Sequence, residues 1–380
     1  MCAVVSALRP LLREVALTQA RVLTARDLNR ALLARQLLLD RSRLPLARVL
    51  ERVAGLQTQY APSGYIGLWS RLAGFGLADL TRALECRRAV QATLMRSTIH
   101  VVSARDFWLF ADGLRQSRMD WWRRTHARRL GDVDMAAVAR TVREALGDGV
   151  RHRDELIEIC RAFKPDDGTA VWNGLALELV RVPPSGTWER RRADLYASAD
   201  AWLGPSTADE PAGLEHLLRR YLAGFGPAPL ADAANWAGVP TATLRPAAER
   251  MAVRMFRDEQ GKELLDLPRA ALPGGSVPAP PRFLPTWDAT LLVHARRTKI
   301  LPERFRPLVF DVKTPHSLPT FLVDGAVAGS WRVESSARKA TLVLGPFEPL
   351  PHGDRALLRD EAEGLVRLVE PGATSYAVRG

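Results

Sequence analysis

Apolar side chains recur at helical spacing through much of the chain, and the first clear case begins at Thr24. Asp27 follows Thr24 by three residues, an order that is typical of a capped helix start. Leucines at positions 28, 32, 33, 37 and 38 then fall at helical spacing. The pattern therefore predicts a helix from residue 24, and shorter periods predict helices over residues 46–54 and 77–84.

The pattern changes after these helices. Residues 89–102 are rich in β-branched side chains and predict one or two strands. Helices followed by a β-ribbon are the order of elements in a winged-helix unit. The same order is predicted a second time, with helices at 135–146, 153–162 and 170–179. A strand at 179–182 then leads into a turn at Pro183, and a second, arginine-rich strand is predicted from Thr187 to complete the hairpin.

The order occurs a third time further along the chain. Predicted helices cover residues 214–225, 229–237 and 241–253. Gly238 and Pro240 make a tight turn between the last two helices, so this stretch has the arrangement of a helix-turn-helix. That arrangement is common by chance, but three occurrences in one basic chain favour a DNA-binding protein.

Beyond about residue 264 the sequence pattern becomes typical of strands. Prolines cluster over residues 268–285 and indicate a loop or linker. The rest of the chain predicts strands at 291–293, 308–312 and 340–344, a hairpin over 320–331 with an Asp-Gly turn at Asp324, and a helix over 355–368. Residues 1–20 are expected to be a weakly held extension.

Charge points to a polyanionic partner. The chain has 54 basic and 42 acidic residues among 380, a net charge of +12. A GC-rich genome would explain why Arg replaces Lys, but not why basic residues exceed acidic ones. Residues 105–130 combine tryptophans with a basic run. They fit either a phosphate-contacting helix or a solvated surface, and the second is the more common outcome.

Other classes of protein are disfavoured by composition. Cys2, Cys86 and Cys160 are far apart, and the histidines have no metal-binding spacing, so no metal site or disulfide framework is expected. No apolar run is long enough for a membrane span, and the first residues lack a hydrophobic signal core. We therefore expect a cytoplasmic protein that does not bind a membrane.

The candidate chemistry centres on Gln57 and Gln59. Residues two apart point the same way in an extended chain, whereas on a helix they diverge. Gly55 and Pro62 keep this segment out of a helix. We therefore expect the two glutamines to point at one place from a loop, although on spacing alone an ordinary surface is the far more common explanation.

Six stretches together resemble one family. They are residues 28–36, 55–62, 95–100, 182–188, 284–288 and 322–331. In this combination the sequence resembles the AlkZ-type bacterial DNA glycosylases over roughly residues 22–370. One departure is mild, since the family often has Phe before the aspartate where this chain has Trp287 and Asp288.

The resemblance implies a fold and an activity. The expected fold is α+β, with three tandem winged-helix units over residues 22–125, 126–205 and 206–275, a β-rich part over 276–380, and a concave DNA-binding surface. The implied reaction is excision of bulky N7-alkylguanine adducts, including interstrand crosslinks. The Gln-x-Gln form resembles the branch that protects producers of DNA-alkylating natural products from their own products.

The resemblance also implies site residues. Gln57 and Gln59 match the catalytic motif. Residues 294–296 resemble a His-x-Arg motif placed against DNA, which makes His294, Arg296 and the adjacent Arg297 candidate contacts, although a basic surface turn is an equal alternative. Arg96 and His100, four apart on one strand face, are candidates for lining the lesion site, and core hydrogen bonding is as good an explanation for them.

Glutamine suits this chemistry because N7 alkylation gives guanine a positive charge, so the base leaves neutral. An amide oxygen can then hold the attacking water and face the developing charge on the sugar. Gln59 is the expected water-positioning group and Gln57 its partner. Such an enzyme would need no cofactor, would work as a monomer on double-stranded DNA carrying alkylated guanine, and would leave an abasic site, since no lysine is near the pair in sequence.

The alternative function is a winged-helix transcriptional regulator or another non-catalytic DNA-binding protein. A regulator typically reads one sequence, often as a dimer on spaced half-sites. A glycosylase of this type should bind with little sequence preference and strong salt dependence. A hydrolase using paired carboxylates or a Ser-His pair has no supporting motif.

Overall fold

The computed structural model describes residues 20–175, 178–295, 299–310, 317–336 and 338–380. The fold is a mixed α+β one, as expected. The predicted capped helix is confirmed as α1 (Ala25–Arg35). Thr24 Oγ1 accepts a hydrogen bond from the N–H of Asp27, and Asp27 Oδ2 accepts one from the N–H of Thr24, both at 3.1 Å. The expected extension lies mostly outside the described residues.

The next elements form one end of a six-stranded sheet. They are α2 (Leu46–Arg52), β2 (Leu56–Gln57), α3 (Pro62–Arg71), α4 (Leu77–Glu85), β3 (Ala89–Thr93) and β4 (Ile99–Ser103). The strand prediction for residues 89–102 is confirmed as two antiparallel strands joined by a 3-10 turn at Met95–Ser97. β4 lies between β2 and β3.

The middle of the chain completes the same sheet. Its elements are α5 (Ala104–Leu130), α6 (Met135–Leu146), β5 (Arg151–His152), α7 (Arg153–Arg161), α8 (Gly168–Asn173), β6 (Leu179–Arg181), β7 (Leu195–Ser198) and α9 (Ala199–Leu203). β6 pairs antiparallel with β3, so that Gln91 lies opposite Arg181. The strand order is β2-β4-β3-β6-β7-β5.

The predicted return strand from Thr187 is wrong, because the strand begins only at Leu195. Prolines at 183 and 184 offer no backbone N–H to a ladder. The side chain of Ser185 instead organises the loop: its hydroxyl donates to the carbonyl of Arg192 at 3.0 Å and accepts from the N–H of Asp194 at 2.6 Å.

The third group of elements contains the predicted helix-turn-helix. It consists of α10 (Glu210–Phe225), α11 (Leu230–Ala237), α12 (Thr241–Arg250), β8 (Arg254–Asp258) and β9 (Glu263–Asp266), with β1 (Val22–Leu23) pairing parallel to β8. Gly238 ends α11 in the left-handed conformation, at φ 81°. α10 packs closely on α5, because a Cβ on Gly113 would lie 2.6 Å from the carbonyl carbon of Gly213.

The C-terminal part is a five-stranded sheet with a helix. Its elements are β10 (Arg282–Leu284), α13 (Arg306–Val309), β11 (Thr320–Val323), β12 (Ala326–Ser335), β13 (Lys339–Pro346), α14 (His352–Val369) and β14 (Ser375–Arg379). The strands follow in chain order across the sheet. The predicted hairpin is confirmed, and Asp324 and Gly325 turn it with φ of 44° and 79°.

Two predicted strands in this part are wrong. Residues 289–291 form a 3-10 turn, because Asp288 Oδ1 accepts the N–H of Thr290 at 3.0 Å and so caps a helical start. Residues 306–309 form α13, and Pro307 in its first turn suits a helix start. Residues 311–316 lie outside the described part of the chain.

Buried ion pairs connect the parts of the fold. Arg71 of α3 reaches Asp288 at 2.9 Å, with both side chains buried, so the helix after the glutamine pair is fixed to the C-terminal part. Arg35 of α1 reaches Asp266 of β9 at 2.6 Å in the same way. Within the described ranges, none of the helices is long and apolar enough to cross a membrane.

Candidate active site

Gln57 ends the short edge strand β2, and Gln59 follows it two residues later. Gly55 precedes β2 with φ 77°, and a Cβ there would lie 2.8 Å from Cγ1 of Val102, so this position requires glycine. The N–H of Thr58 donates to the carbonyl of Ile99 at 2.7 Å, which continues the β2–β4 ladder past Gln57. α3 then begins at Pro62.

Gln57 is held by an arginine. Its side chain is only 8% exposed, and its Oε1 accepts a hydrogen bond from Nη2 of Arg96 at 3.0 Å. The Arg96 backbone has φ 52° in the turn between β3 and β4, and its Nη1 donates to the carbonyl of Trp236 in α11 at 3.3 Å. The guanidinium therefore connects the first candidate catalytic residue to the helix-turn-helix.

Gln59 is held differently and is exposed. Its Oε1 accepts a hydrogen bond from the N–H of Ile99 at 3.2 Å, so the side chain takes the place of the next ladder partner. A guanidinium and a backbone N–H can only donate, so the oxygens of both amides are fixed towards their donors. Each amide oxygen keeps a second lone pair for a further hydrogen bond.

His100 lies directly opposite Gln57 across the ladder and is buried. Its Nδ1 lies 3.0 Å from the carbonyl of Thr98, to which it can donate. Burial, and after it the charge of Arg96, lowers the pKa of His100 to about 3. The ring is therefore neutral at physiological pH, and it forms part of the framework behind Gln57.

His294 belongs to a different cluster. Its side chain is 3% exposed, and its Nδ1 lies 3.3 Å from Oδ2 of Asp232 and 3.4 Å from the hydroxyl of Tyr221. Burial first, and then the charge of Lys299, lowers the pKa of His294 to about 4. Helices α10 and α11 build this cluster, whereas β2–β4 carry the glutamines, Arg96 and His100. Arg296 and Arg297 lie outside the described residues.

Tyr60, next to the glutamine pair, was not predicted from the sequence to belong to the site. Tyr60 follows Gln59 and is 42% exposed. Its hydroxyl accepts a hydrogen bond from Nη1 of Arg191 at 3.0 Å. The guanidinium of Arg191 also lies 5.5 Å from the ring centre of Trp188, within cation–π range. The basic arm after Pro184 therefore reaches the Gln59 segment, and its clustered arginines were the only signal of this contact.

Gln59 also lines a cavity of about 600 Å³. β3, β6 and the helices α5 and α8 supply most of its other walls, including Arg118, Trp121 and Trp172. The arginines of the basic run in α5 are exposed, as expected for a solvated surface, but Trp122 is buried. The cavity was missed because it depends on how α5 packs over the sheet. Across the described residues, no group of three His, Cys, Asp or Glu side chains could hold a metal ion.

Comparison with known proteins assigns the chain to a family. Residues 50–368 match the family described as DNA glycosylase AlkZ-like, and this range includes the glutamine pair and most of the fold described above. The chain therefore belongs to the AlkZ-like DNA glycosylase family and is a DNA glycosylase. The resemblance found in the six sequence stretches is confirmed.

A solved structure agrees in fold. Streptomyces sahachiroi DNA glycosylase AlkZ is similar to this chain with a TM-score of 0.77 and 18% sequence identity, over 94% of this chain and 99% of that chain. At this identity the likeness concerns the fold. No curated protein matches the sequence.

Proposed function

We propose that this DNA glycosylase is monofunctional and hydrolyses the N-glycosidic bond of bulky N7-alkylguanine adducts, leaving an abasic site. The observation that carries the proposal is the paired geometry of Gln57 and Gln59. One amide is buried and fixed by Arg96, while the other is exposed and lines a cavity. The arrangement presents two oriented carboxamides, one held by Arg96 and one by the backbone of Ile99.

The proposed mechanism follows from the charge of the lesion. An N7-alkylated guanine leaves as a neutral base, so the reaction needs little general acid. Gln59, with a free lone pair on Oε1, holds the attacking water, and Gln57 turns its dipole to the sugar as positive charge develops. Because glutamine is a poor base, unmodified guanine would not be released.

The hydrogen bond between Gln57 and Arg96 gives Arg96 a positioning role at the site. It orients the carboxamide and adds a fixed positive charge at the site, while neutral His100 supports the strand behind it. We assign the DNA contacts to Arg96 near the lesion and to Arg296 and Arg297 on a second segment, whereas the buried rings of His100 and His294 support these contacts from behind. Because the ring of His294 is buried against Asp232, its part is to orient that segment for the two arginines.

The DNA-binding face is proposed to be a concave surface over three tandem winged-helix units, at residues 22–125, 126–205 and 206–275, with the β-rich part at 276–380. Net charge of +12 supports a polyanionic ligand. The same chemistry extends to interstrand crosslinks that run through N7. The Gln-x-Gln form supports a role in self-resistance to a DNA-alkylating natural product, for a monomeric enzyme acting on DNA in the cytoplasm.

Base release tests this function. Purified protein is incubated with duplex DNA that carries either N7-methylguanine or a bulky N7-alkylguanine adduct, and free base is measured by mass spectrometry. We expect release from the bulky adduct, abasic sites in the DNA, and binding that weakens steeply with salt. No release from either lesion, together with tight binding to one preferred sequence, would favour the regulator that the α11–α12 arrangement also allows.

A further inference from the structure

The cavity beside Gln59 has a size that the base alone does not explain. Its volume of about 600 Å³ falls within the roughly 300–1,000 Å³ of pockets that hold drug-sized ligands. It lies between the face of β3 and β6 and the helices α5 and α8. A group attached to a lesion held at Gln59 would have direct access to it.

Aromatic rings form one wall of this cavity. Trp122 is fixed, because its Nε1 donates to the carbonyl of Ala170 at 3.2 Å and its ring stacks on His126. Trp172 packs edge-on against Tyr196, with ring centres 5.2 Å apart. Trp121, on the same helix as Trp122, is 51% exposed at the cavity. Such ring faces bind flat aromatic groups.

Two arginines also line the cavity, Arg118 on the same helix as Trp121 and Arg181 on β6. Arg181 is 9% exposed, and its Nη2 donates to Oγ1 of Thr93 at 2.9 Å, but its Nε and Nη1 are buried without a hydrogen-bond partner. Nη1 of Arg118 donates to the carbonyl of Thr93 at 3.0 Å. Over the part of the chain that the structure describes, neither guanidinium forms an ion pair with a carboxylate.

The tryptophan rings and the two arginines together indicate which chemical groups a ligand of this cavity would supply. Burial lowers the pKa of Arg118 and of Arg181, and Arg181 is the more buried of the two. A buried donor without an acceptor is costly, so the unpartnered Nε and Nη1 of Arg181 call for oxygen atoms from a ligand. A phosphate would supply oxygens but would leave the tryptophan faces unused. A nucleobase would use the ring faces but fill only part of the volume.

We propose that the cavity binds the substituent of the lesion, a flat aromatic group that carries carbonyl or carboxylate oxygens and is linked to N7 of the guanine held at Gln59. The aromatic group stacks on the exposed ring of Trp121 and on Trp172, and its oxygens accept hydrogen bonds from Arg118 and Arg181. This assignment rests on the proposed glycosylase site and names the chemical class of substrate that the site selects.

A binding measurement tests the cavity without any base release. Quinoline-2-carboxylate supplies a flat aromatic carboxylate, and quinoline supplies the same ring without the acceptor. Isothermal titration should show that the full-length protein binds the carboxylate about tenfold more tightly than quinoline, as expected for a hydrogen bond to a charged donor. Equal binding of the two probes, or no binding of either, would overturn the proposal.

Matched variants locate that binding. Arg118→Met removes one donor from the cavity, and Arg123→Met removes an exposed arginine of the same helix that lies outside it. Trp121→Ala removes an exposed ring and so leaves the core packing intact. We expect Arg118→Met and Trp121→Ala each to weaken binding of the carboxylate about tenfold, and Arg123→Met to leave it unchanged. Weakening by Arg123→Met to the same extent would contradict a local site.

Base release then separates this proposal from the proposed function. Duplexes carry either N7-methylguanine or an N7-guanine adduct linked to quinoline-2-carboxamide, and kcat/KM is measured for both. Arg118→Met should lower kcat/KM for the aromatic adduct about tenfold and change that for N7-methylguanine less than about twofold. An equal fall in kcat/KM for both lesions would mean that Arg118 contacts the phosphate or the base. If the wild type releases N7-methylguanine but not the aromatic adduct, the proposed substituent site is also wrong. If the wild type releases neither base, the proposed function fails, whereas the titrations still decide on the cavity.

Discussion

Arg96 fixes the carboxamide of Gln57, through a hydrogen bond from Nη2 to Oε1 of 3.0 Å. The same guanidinium donates to the carbonyl of Trp236, so the orientation of Gln57 depends on the position of α11. Gly238, just after α11, approaches the backbone of Arg96 so closely that a Cβ would lie 3.0 Å from its N and Cα. Residues far apart in sequence thus set the geometry of the candidate catalytic amide.

Replacing Arg96 tests this link. Arg96→Met should lower the single-turnover rate of N7-methylguanine release by about tenfold or more, because Gln57 loses a charge-assisted hydrogen bond and its amide can rotate. Arg123→Met serves as the control for loss of one positive charge. Rates that fall equally in the two variants would point to DNA binding rather than to orientation of Gln57.

Gly238 should be required for the same reason. Gly238→Ala places a side chain at φ 81° and against Arg96, so we expect a loss of about 1–2 kcal/mol in the free energy of unfolding together with slower base release. Gly261→Ala is the matched control, since Gly261 has φ 76° but no atom within 4 Å of the added Cβ. Urea unfolding and base release are measured for both. If Gly261→Ala slows release as much, contact with Arg96 is not the cause.

His100 should make the fold sensitive to acid. An unfolded histidine takes up its proton at about pH 6.5, whereas folded His100 does so only near its lowered pKa of about 3. Between these values the unfolded chain binds more protons, so stability falls as the pH falls through this window. His100→Gln should reduce this slope by up to about 1.4 kcal/mol per pH unit.

Urea unfolding at pH 7, 6 and 5 measures that slope, since the linear extrapolation gives the free energy of unfolding at each pH. His352→Gln is the control, because His352 is exposed at the start of α14. An unchanged slope in His100→Gln would mean that the folded ring titrates normally.

Monofunctional chemistry predicts that no covalent intermediate can be trapped. Burial lowers the pKa of Lys299 to about 7, so this amine is partly neutral, but it lies with His294 and Asp232 rather than with the glutamine pair. Borohydride added during base release should therefore give no protein–DNA adduct, while a bifunctional glycosylase on suitable DNA gives one. A trapped adduct that disappears in Lys299→Met would establish lyase activity and contradict the proposal.

Local patterns in the sequence predicted much of the fold. The cap at Thr24 and the turn at Asp324 depend on neighbouring residues, and both were predicted correctly. One error lies at Pro307, where α13 replaces the predicted strand. The other two lie where a side chain competes for backbone groups, as Ser185 does before β7 and Asp288 does before the turn at 289–291. Periodicity carries no information about such competition.

The candidate site was predictable in part. The spacing of Gln57 and Gln59 and the family motifs made the pair the catalytic candidate, but they did not predict that one amide is buried and the other exposed. The bond from Arg96 needs a positive φ and the end of α11, neither of which a local pattern shows. The cavity needs Trp122 of α5 to be buried against α8, whereas its basic neighbours suggested a solvated helix.

The most direct test compares wild type with the Gln57→Ala/Gln59→Ala double variant in single-turnover release of a bulky N7-alkylguanine adduct, with N7-methylguanine beside it. Thermal unfolding and DNA binding are measured on the same samples to confirm an intact fold. We expect release to fall at least about 100-fold for both lesions, as when a preorganised polar group is removed from an active site. Release near the wild-type rate from a folded, DNA-bound double variant would contradict catalysis by the glutamine pair.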